Sequence, residues 1–147
     1  MNGFVKNIEE LTSENTDFRR VLYTGKHLQL VLMALKPAEE IGEEVHPDRD
    51  QFFRVEAGRG EVWIDGNRTK ITSGDAILVP FGARHNVINT GDKPLSLYTL
   101  YGPPNHRDGV VRATKAEAEA SEEHFDGETT EAGTLRDKSQ KEALSEA

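Results

Sequence analysis

The stretch Gly74-Asp75-Ala76-Ile77-Leu78-Val79-Pro80-Phe81-Gly82-Ala83-Arg84-His85-Asn86-Val87-Ile88-Asn89 decides how the rest of the chain is read. Glycine opens it, where a turn needs a residue tolerant of positive φ. The apolar run from Ala76 to Val79 has the length of a buried strand. Pro80 and Gly82 then make a tight turn. His85 stands just past that turn, at the head of the alternating run His85, Asn86, Val87, Ile88, Asn89. A rigid turn between two strands aims one imidazole at a fixed point, and the remaining chain must supply the other groups around it.

Working outward, apolar and polar residues alternate over 61–64 and 67–71 on either side of Asp65-Gly66, a strong two-residue hairpin signal. Residues 18–24, 40–46, 51–56 and 95–101 also read as strands, and 27–35 is a nearly continuous apolar run expected to be buried on both faces. With 75–79 and 85–89 the pattern predicts about nine short strands, divided by Gly, Pro, Asp and Asn turns. Such spacing indicates an all-β fold, a sandwich or a barrel of the jelly-roll kind. No helix-length segment lies between the strands, which argues against a parallel sheet. After Gly102-Pro103-Pro104 the character changes. Thr114 and Glu117 form a capping box, so 115–123 should be a short helix. From His124 onward the chain is Gly, Thr, Ser and charge, with few large apolar groups, and most of it is expected to be mobile. The chain therefore divides into a lead-in (1–17, with a helical turn over 7–15), a barrel (18–111) and a short helix with an acidic tail (112–147).

The whole chain carries 26 acidic against 18 basic residues, a net charge of −8. Residues 112–147 hold ten of those acids and five of the bases, so the tail accounts for −5 and the barrel is nearly balanced. An acidic chain without a Lys/Arg cluster lacks what phosphate backbones require, so no nucleic-acid partner is expected. Cysteine is absent, which removes disulfides, thiolate catalysis and Cys-held zinc. Neither a signal-peptide core nor a spanning apolar stretch is present, so no membrane partner is expected and a cytoplasmic location is the default.

Chemistry concentrates between Pro37 and Gly58. Glu44 and His46 are two apart, so on one strand they share a face. Gln51 opens the next strand across a turn, and His85 joins from the opening stretch. One carboxylate, two imidazoles and one amide pointing into a single barrel need partners. A divalent metal would satisfy all four. Phe53 shares the face of Gln51 and is the candidate pocket wall; Phe52 and Arg54 fall on the other face. His106 is expected on an exposed loop, His27 and His124 as bystanders, and Asp48-Arg49-Asp50 as a solvated turn. No interior Arg or Lys can be assigned, Arg84 beside His85 being the nearest.

The second of these stretches fits the second cupin motif, Gly-x5-Pro-x-Gly-x2-His-x3-Asn, at Gly74, Pro80, Gly82, His85 and Asn89. The first cupin motif, Gly-x5-His-x-His-x3-4-Glu-x6-Gly, is matched in spacing but departs at three places: Ala38 for the first Gly, Glu44 for the first His and Gln51 for the Glu. His46 and Gly58 match. The chain thus resembles the cupins, in particular the small single-domain bacterial ones often labelled mannose-6-phosphate isomerase-like. The resemblance implies a single jelly-roll barrel with Glu44, His46, Gln51 and His85 as ligands of one divalent transition metal. Manganese, iron, nickel and zinc all suit two imidazoles with two oxygen donors. It implies either a metal-dependent enzyme on a small polar metabolite (an isomerase, dioxygenase or lyase) or a non-catalytic binding module, in both cases with a small-molecule partner and as a homodimer.

Overall fold

Alternation along the strands is what sorts this chain into two layers. In the computed structural model, which describes residues 1–131, two antiparallel sheets enclose one apolar core. A short helix α1 (Ile8–Glu14) precedes β1 (Arg19–Thr24), β2 (Gln29–Leu35), β3 (Glu44–Val45), β4 (Asp50–Ala57) and β5 (Arg59–Ile64). β6 (Asn67–Thr72), β7 (Ala76–Val79), β8 (Arg84–Ile88), β9 (Leu95–Gly102), β10 (Val111–Arg112) and a helix α2 (Lys115–Ala120) follow. One sheet runs in the order β10-β1-β2-β9-β4-β7 and the other β3-β8-β5-β6.

In β4, Gln51, Phe53 and Val55 are buried while Phe52, Arg54 and Glu56 are partly exposed, so the face assigned from sequence is the inward one. β9 lies between β2 and β4 and buries Leu95, Leu97, Thr99 and Tyr101. Val31, Met33 and Leu35 of β2 meet Val62, Ile71 and Val87 of the opposite sheet in the core. The hairpin between β5 and β6 turns on Asp65 and Gly66 with φ of 46° and 82°, the two positive angles of a type I′ turn.

Several expectations are corrected. The strand expected over 40–46 shrinks to Glu44–Val45, because Gly42 turns out of extended geometry at φ 110°. The segment still lies along β8, through Ile41 N to Val87 O (2.9 Å) and Gly42 N to Asn86 Oδ1 (2.9 Å). β10 was not foreseen; it is two residues long and pairs with β1. α2 stops at Ala120, and its box closes with Thr114 Oγ1 accepting from Glu117 N (3.1 Å) and Glu117 accepting from Ala113 N (2.9 Å).

From His124 to Glu131 the tail makes hydrogen bonds to the barrel. Phe125 N donates to Asn105 O (3.0 Å), Thr130 N to Thr24 O (2.9 Å), and Tyr23 hydrogen-bonds Glu131. This part of the tail runs back along β1 and satisfies backbone groups there. The rest of the tail, 132–147, lies outside the described residues. Within the described residues no helix is long and apolar enough to cross a membrane.

Candidate functional site

Strand register brings the first group together. β3 pairs antiparallel with β8 so that Glu44 stands opposite His85, which puts both side chains on one face. His46 follows just past β3, and its carbonyl accepts from Gly82 N (2.8 Å). The two sequence stretches are therefore tied at the Pro80–Gly82 turn. β4 delivers Gln51 from the other sheet, opposite Tyr101 of β9.

One ligand atom from each of Glu44, His46 and His85 lies within 4.8 Å of the other two. His46 Nε2 is 3.1 Å from Glu44 Oε2, and His85 Nε2 is 3.1 Å from Gln51 Oε1. The second contact is informative. His85 Nδ1 sits 3.0 Å from the Ala83 carbonyl, which only accepts, so Nδ1 carries the proton and Nε2 presents a lone pair. Gln51 Nε2 donates to Thr99 Oγ1 (2.9 Å), which turns its carbonyl oxygen to that same lone pair. Two acceptors facing each other are unfavourable without a cation between them. Donors about 2.0–2.2 Å from a common ion and at right angles lie about 3 Å apart. The residues present fit a divalent metal.

Glu44 is held ionised. Its burial opposes ionisation, but the His46 hydrogen bond and the charges of His46, His85 and Arg19 outweigh that and lower its pKa. His85 and Gln51 are buried, at 4% and 2% exposure, whereas Glu44 and His46 are partly open. The latter two form part of the wall of a 380 Å³ cavity.

The rest of that cavity comes from segments far apart in sequence: Arg19 of β1, Asn105 and His106 after β9, and Lys115, Ala118 and Glu123 of the C-terminal segment. His106, expected to be exposed, is buried at 5%. The buried side chain of Gln29 clamps its loop, accepting from Asn105 N (3.1 Å) and His106 N (2.9 Å) and donating to His106 O (2.7 Å). Arg49, expected in a solvated turn, braces the same loop through Pro104 O (3.1 Å) and Asn105 Oδ1 (2.7 Å).

His106 Nδ1 meets Glu123 Oε1 at 3.0 Å, so its Nε2 accepts, from the Tyr101 hydroxyl (3.3 Å) and the Asn105 amide (3.4 Å). Tyr101 stands opposite Gln51 across the β4–β9 pair. A hydrogen-bonded path of side chains runs from Tyr101 through His106 to Glu123. Burial lowers the His106 pKa, with the nearby Arg19 acting in the same direction against Glu123 and Glu44. It keeps the Tyr101 phenol protonated. For Glu123 burial is the largest single influence and opposes ionisation; His106, Arg19 and Arg112 together reverse it and lower the pKa.

Phe53 is almost fully buried and turns its ring edge to His85, 6.5 Å between centroids. It underlies the cluster and does not line the cavity, where the sequence reading had put it. Arg84 points outward to Glu43 (3.4 Å) and His27 is exposed. His124 is exposed at the cavity rim. Arg19 and Glu123 were missed as site residues; Tyr101 fits core, pocket wall or interface from sequence, and His106 a loop within reach of the pocket rim, so neither is assigned to the site there. The one signal available was alternation: Arg19 is two positions before the buried Val21 and so inward-facing.

Comparison with known proteins bears on this site. Residues 31–101 match the family described as Cupin domain, a segment that includes Glu44, His46, Gln51 and His85. The chain is 48% identical to the uncharacterized protein YrkC of Bacillus subtilis (strain 168), over 82% of this chain and 68% of that one. A Bacillus halodurans protein of known crystal structure is also 48% identical; the match covers 82% of this chain and 96% of that one, with a TM-score of 0.80. The mannose-1-phosphate guanylyltransferase of Escherichia coli (strain K12) is 33% identical over 60% of this chain, but the match covers only 19% of that enzyme.

Proposed function

The chain belongs to the cupin family, and on that premise we propose that Glu44, His46, His85 and Gln51 hold one divalent transition metal in a metal-dependent enzyme acting on a small polar metabolite. The observation that supports this most directly is the pair of lone pairs, His85 Nε2 and Gln51 Oε1, facing each other at 3.1 Å beside an ionised Glu44. Two imidazoles and two oxygen donors suit manganese, iron, nickel or zinc. When bound, such a metal supplies Lewis acidity toward a carbonyl or hydroxyl oxygen.

The chain's own residues do the rest. Ala83 fixes the His85 ring so that Nε2 faces inward. Glu44 carries the negative charge that the family's usual carboxylate position, here Gln51, does not. The cavity of 380 Å³ is at the small end of ligand pockets, which suits a metabolite of sugar or organic-acid size. His106, neutral at pH 7 and inside that cavity, is the group placed to receive a proton at Nε2.

One observation favours a second reading, a non-catalytic binding module without metal. Turning the Gln51 amide over lets its NH2 donate to His85 Nε2 and its oxygen accept from the Thr99 hydroxyl, and the cluster is then satisfied by itself. Metal analysis separates the two. Protein purified without added metal, or reconstituted with each of the four ions, should carry close to one ion per chain, and His85→Ala and Glu44→Ala should carry almost none. Wild-type protein that takes up none of the four ions sinks the metal reading and leaves the hydrogen-bonded module.

A further inference from the structure

Arg19 enters the cavity from β1, on the inner face it shares with Val21, which stands opposite the core residue Val31 of β2. Its side chain is 12% exposed. A guanidinium offers five donors in a rigid fork and stays charged when buried. Those donors are poorly used. Its ion pair with Glu123 is long, 3.8 Å from Nη1 to Oε1, and among the described residues no hydrogen bond reaches its buried Nε.

The neighbouring charges are otherwise engaged. Glu123 Oε1 is held at 3.0 Å by His106 and Oε2 at 3.2 Å by Arg112. Arg112 stands directly opposite Arg19 across the β1–β10 pair. Two guanidinium groups therefore share one carboxylate. Glu44, the other carboxylate beside Arg19, is 3.1 Å from His46 and committed to the cluster below. Lys115 is paired with Glu119 (3.8 Å), and Glu122 is exposed at the rim.

We propose that Arg19 is the anchor for an anionic group, a carboxylate or a phosphate, on the molecule that enters this cavity. The proposal deepens the reading above: the metabolite is an acid or a phosphate ester that lays its oxyanion on Arg19 and extends its other end toward Glu44 and His46. A bidentate pair with an oxyanion would satisfy the unused fork.

The test titrates malonate and inorganic phosphate into the full chain by calorimetry at matched ionic strength, before and after chelator treatment, with metal content measured in parallel. Wild-type protein should bind at least one of the two saturably, and the preferred probe identifies the oxyanion. Arg19→Gln should weaken binding about tenfold, and Arg19→Lys, which keeps the charge and loses the fork, should be intermediate. Glu123→Gln should tighten binding, because it removes the carboxylate that shares Arg19. A merely structural Arg19–Glu123 pair predicts instead that Arg19→Gln and Glu123→Gln act alike. That outcome overturns the proposal, as does the absence of saturable binding to wild-type protein or equal binding by wild type and Arg19→Gln. Should Arg19→Gln fail to fold, the Lys and Glu123→Gln variants decide the matter. Metal content in Arg19→Gln should equal that of wild type, so failure of the metal reading appears there and failure of the anchor in the titration.

Discussion

The cluster of Glu44, His46, Gln51 and His85, of which Glu44 and His46 reach the cavity and form its floor, comes from two short stretches joined by turns, whereas the cavity's mouth gathers Arg19, His106 and Glu123 from opposite ends of the chain. The floor is set by strand geometry. Once β3 pairs with β8 and β4 takes its inward face, the four side chains have no other direction to point. The mouth is set by charge. Glu123 packs there because three cationic or hydrogen-bonding groups converge on it: His106 at 3.0 Å, Arg112 at 3.2 Å and Arg19 at 3.8 Å. A floor built from backbone register is expected to tolerate changes of ligand type, while a mouth built around one side chain should lose stability when that side chain is truncated.

The strongest test of the floor is Gln51→Glu, which restores the residue usual in the family's motif. Gln51 is 2% exposed. Without metal, the new carboxylate is buried with only His85 and the Thr99 hydroxyl as partners, and stability should fall by about 2–4 kcal/mol. With metal it becomes a charged ligand, and thermal melts should recover to the wild-type value or above. A variant equally unstable with and without manganese, iron, nickel or zinc would mean that the four side chains are a hydrogen-bonded interior.

At the mouth, Glu123→Ala leaves Arg19, Arg112 and His106 without their carboxylate and should cost about 2–3 kcal/mol. For a chain of this length that is roughly 5–10 °C in melting temperature. Ending the chain after Ala120 should cost at least as much, since it also removes the Phe125 N–Asn105 O bond (3.0 Å) and the strap along β1. The composition of this segment suggests the opposite, that it can be removed without consequence. An unchanged melting temperature would return it to that reading.

Why the floor was legible and the mouth was not follows from distance along the chain. Alternation and turn residues report which way neighbours point, and that was enough for His85, for the Glu44–His46 pair and for Gln51 with Phe53 beneath. Nothing local reports that Gln29 will clamp the loop at His106, 77 positions away. Glu123 sits in an Ala/Glu-rich run that reads as a solvated helix, and the ion pairs that bury it become visible only once β10 places Arg112 beside Arg19. The placement of Phe53 failed for a different reason. Its face was right, but depth along the barrel axis is not encoded by alternation.

Acidity offers a smaller effect on the same contrast. His106 is surrounded by Glu123 from the C-terminal segment, Arg19 from β1, Tyr101 from β9 and Glu44 from β3, and its pKa in the folded chain is lowered. Between that value and the ordinary histidine value of about 6.5, the unfolded chain binds a proton that the folded chain does not. Stability must therefore fall as pH drops through about 6.5, and the loss levels off once folded His106 is protonated too. Glu123, whose folded pKa is lowered, contributes stability above the ordinary carboxylate range and loses it at lower pH still. Thermal melts from pH 7.5 to 5.5 should show a downward slope that His106→Gln flattens. An identical slope in that variant would place the titrating group elsewhere.

The smallest predicted effect belongs to the floor and concerns the motif position that departs most in backbone character. Ala38 stands where the family pattern has glycine, and it adopts φ of 68°, the left-handed region a glycine takes freely. Its amide donates to the Asn89 carbonyl (3.1 Å), so this turn joins the two motifs and cannot relax without disturbing both. The conformation has been kept and the glycine has not. An alanine is tolerated there because its side chain is exposed. At Gly58, which also matches the motif with φ of 87°, a Cβ would lie 2.5 Å from the Pro94 carbonyl oxygen, and glycine is retained. Ala38→Gly should therefore relieve the left-handed strain and, after the added freedom of the unfolded chain, stabilise the protein by about 0.5–1 kcal/mol. Denaturant melts resolve that shift. A variant less stable than wild type would mean that the turn is held by something other than the backbone angle, and that register alone does not explain the floor's tolerance.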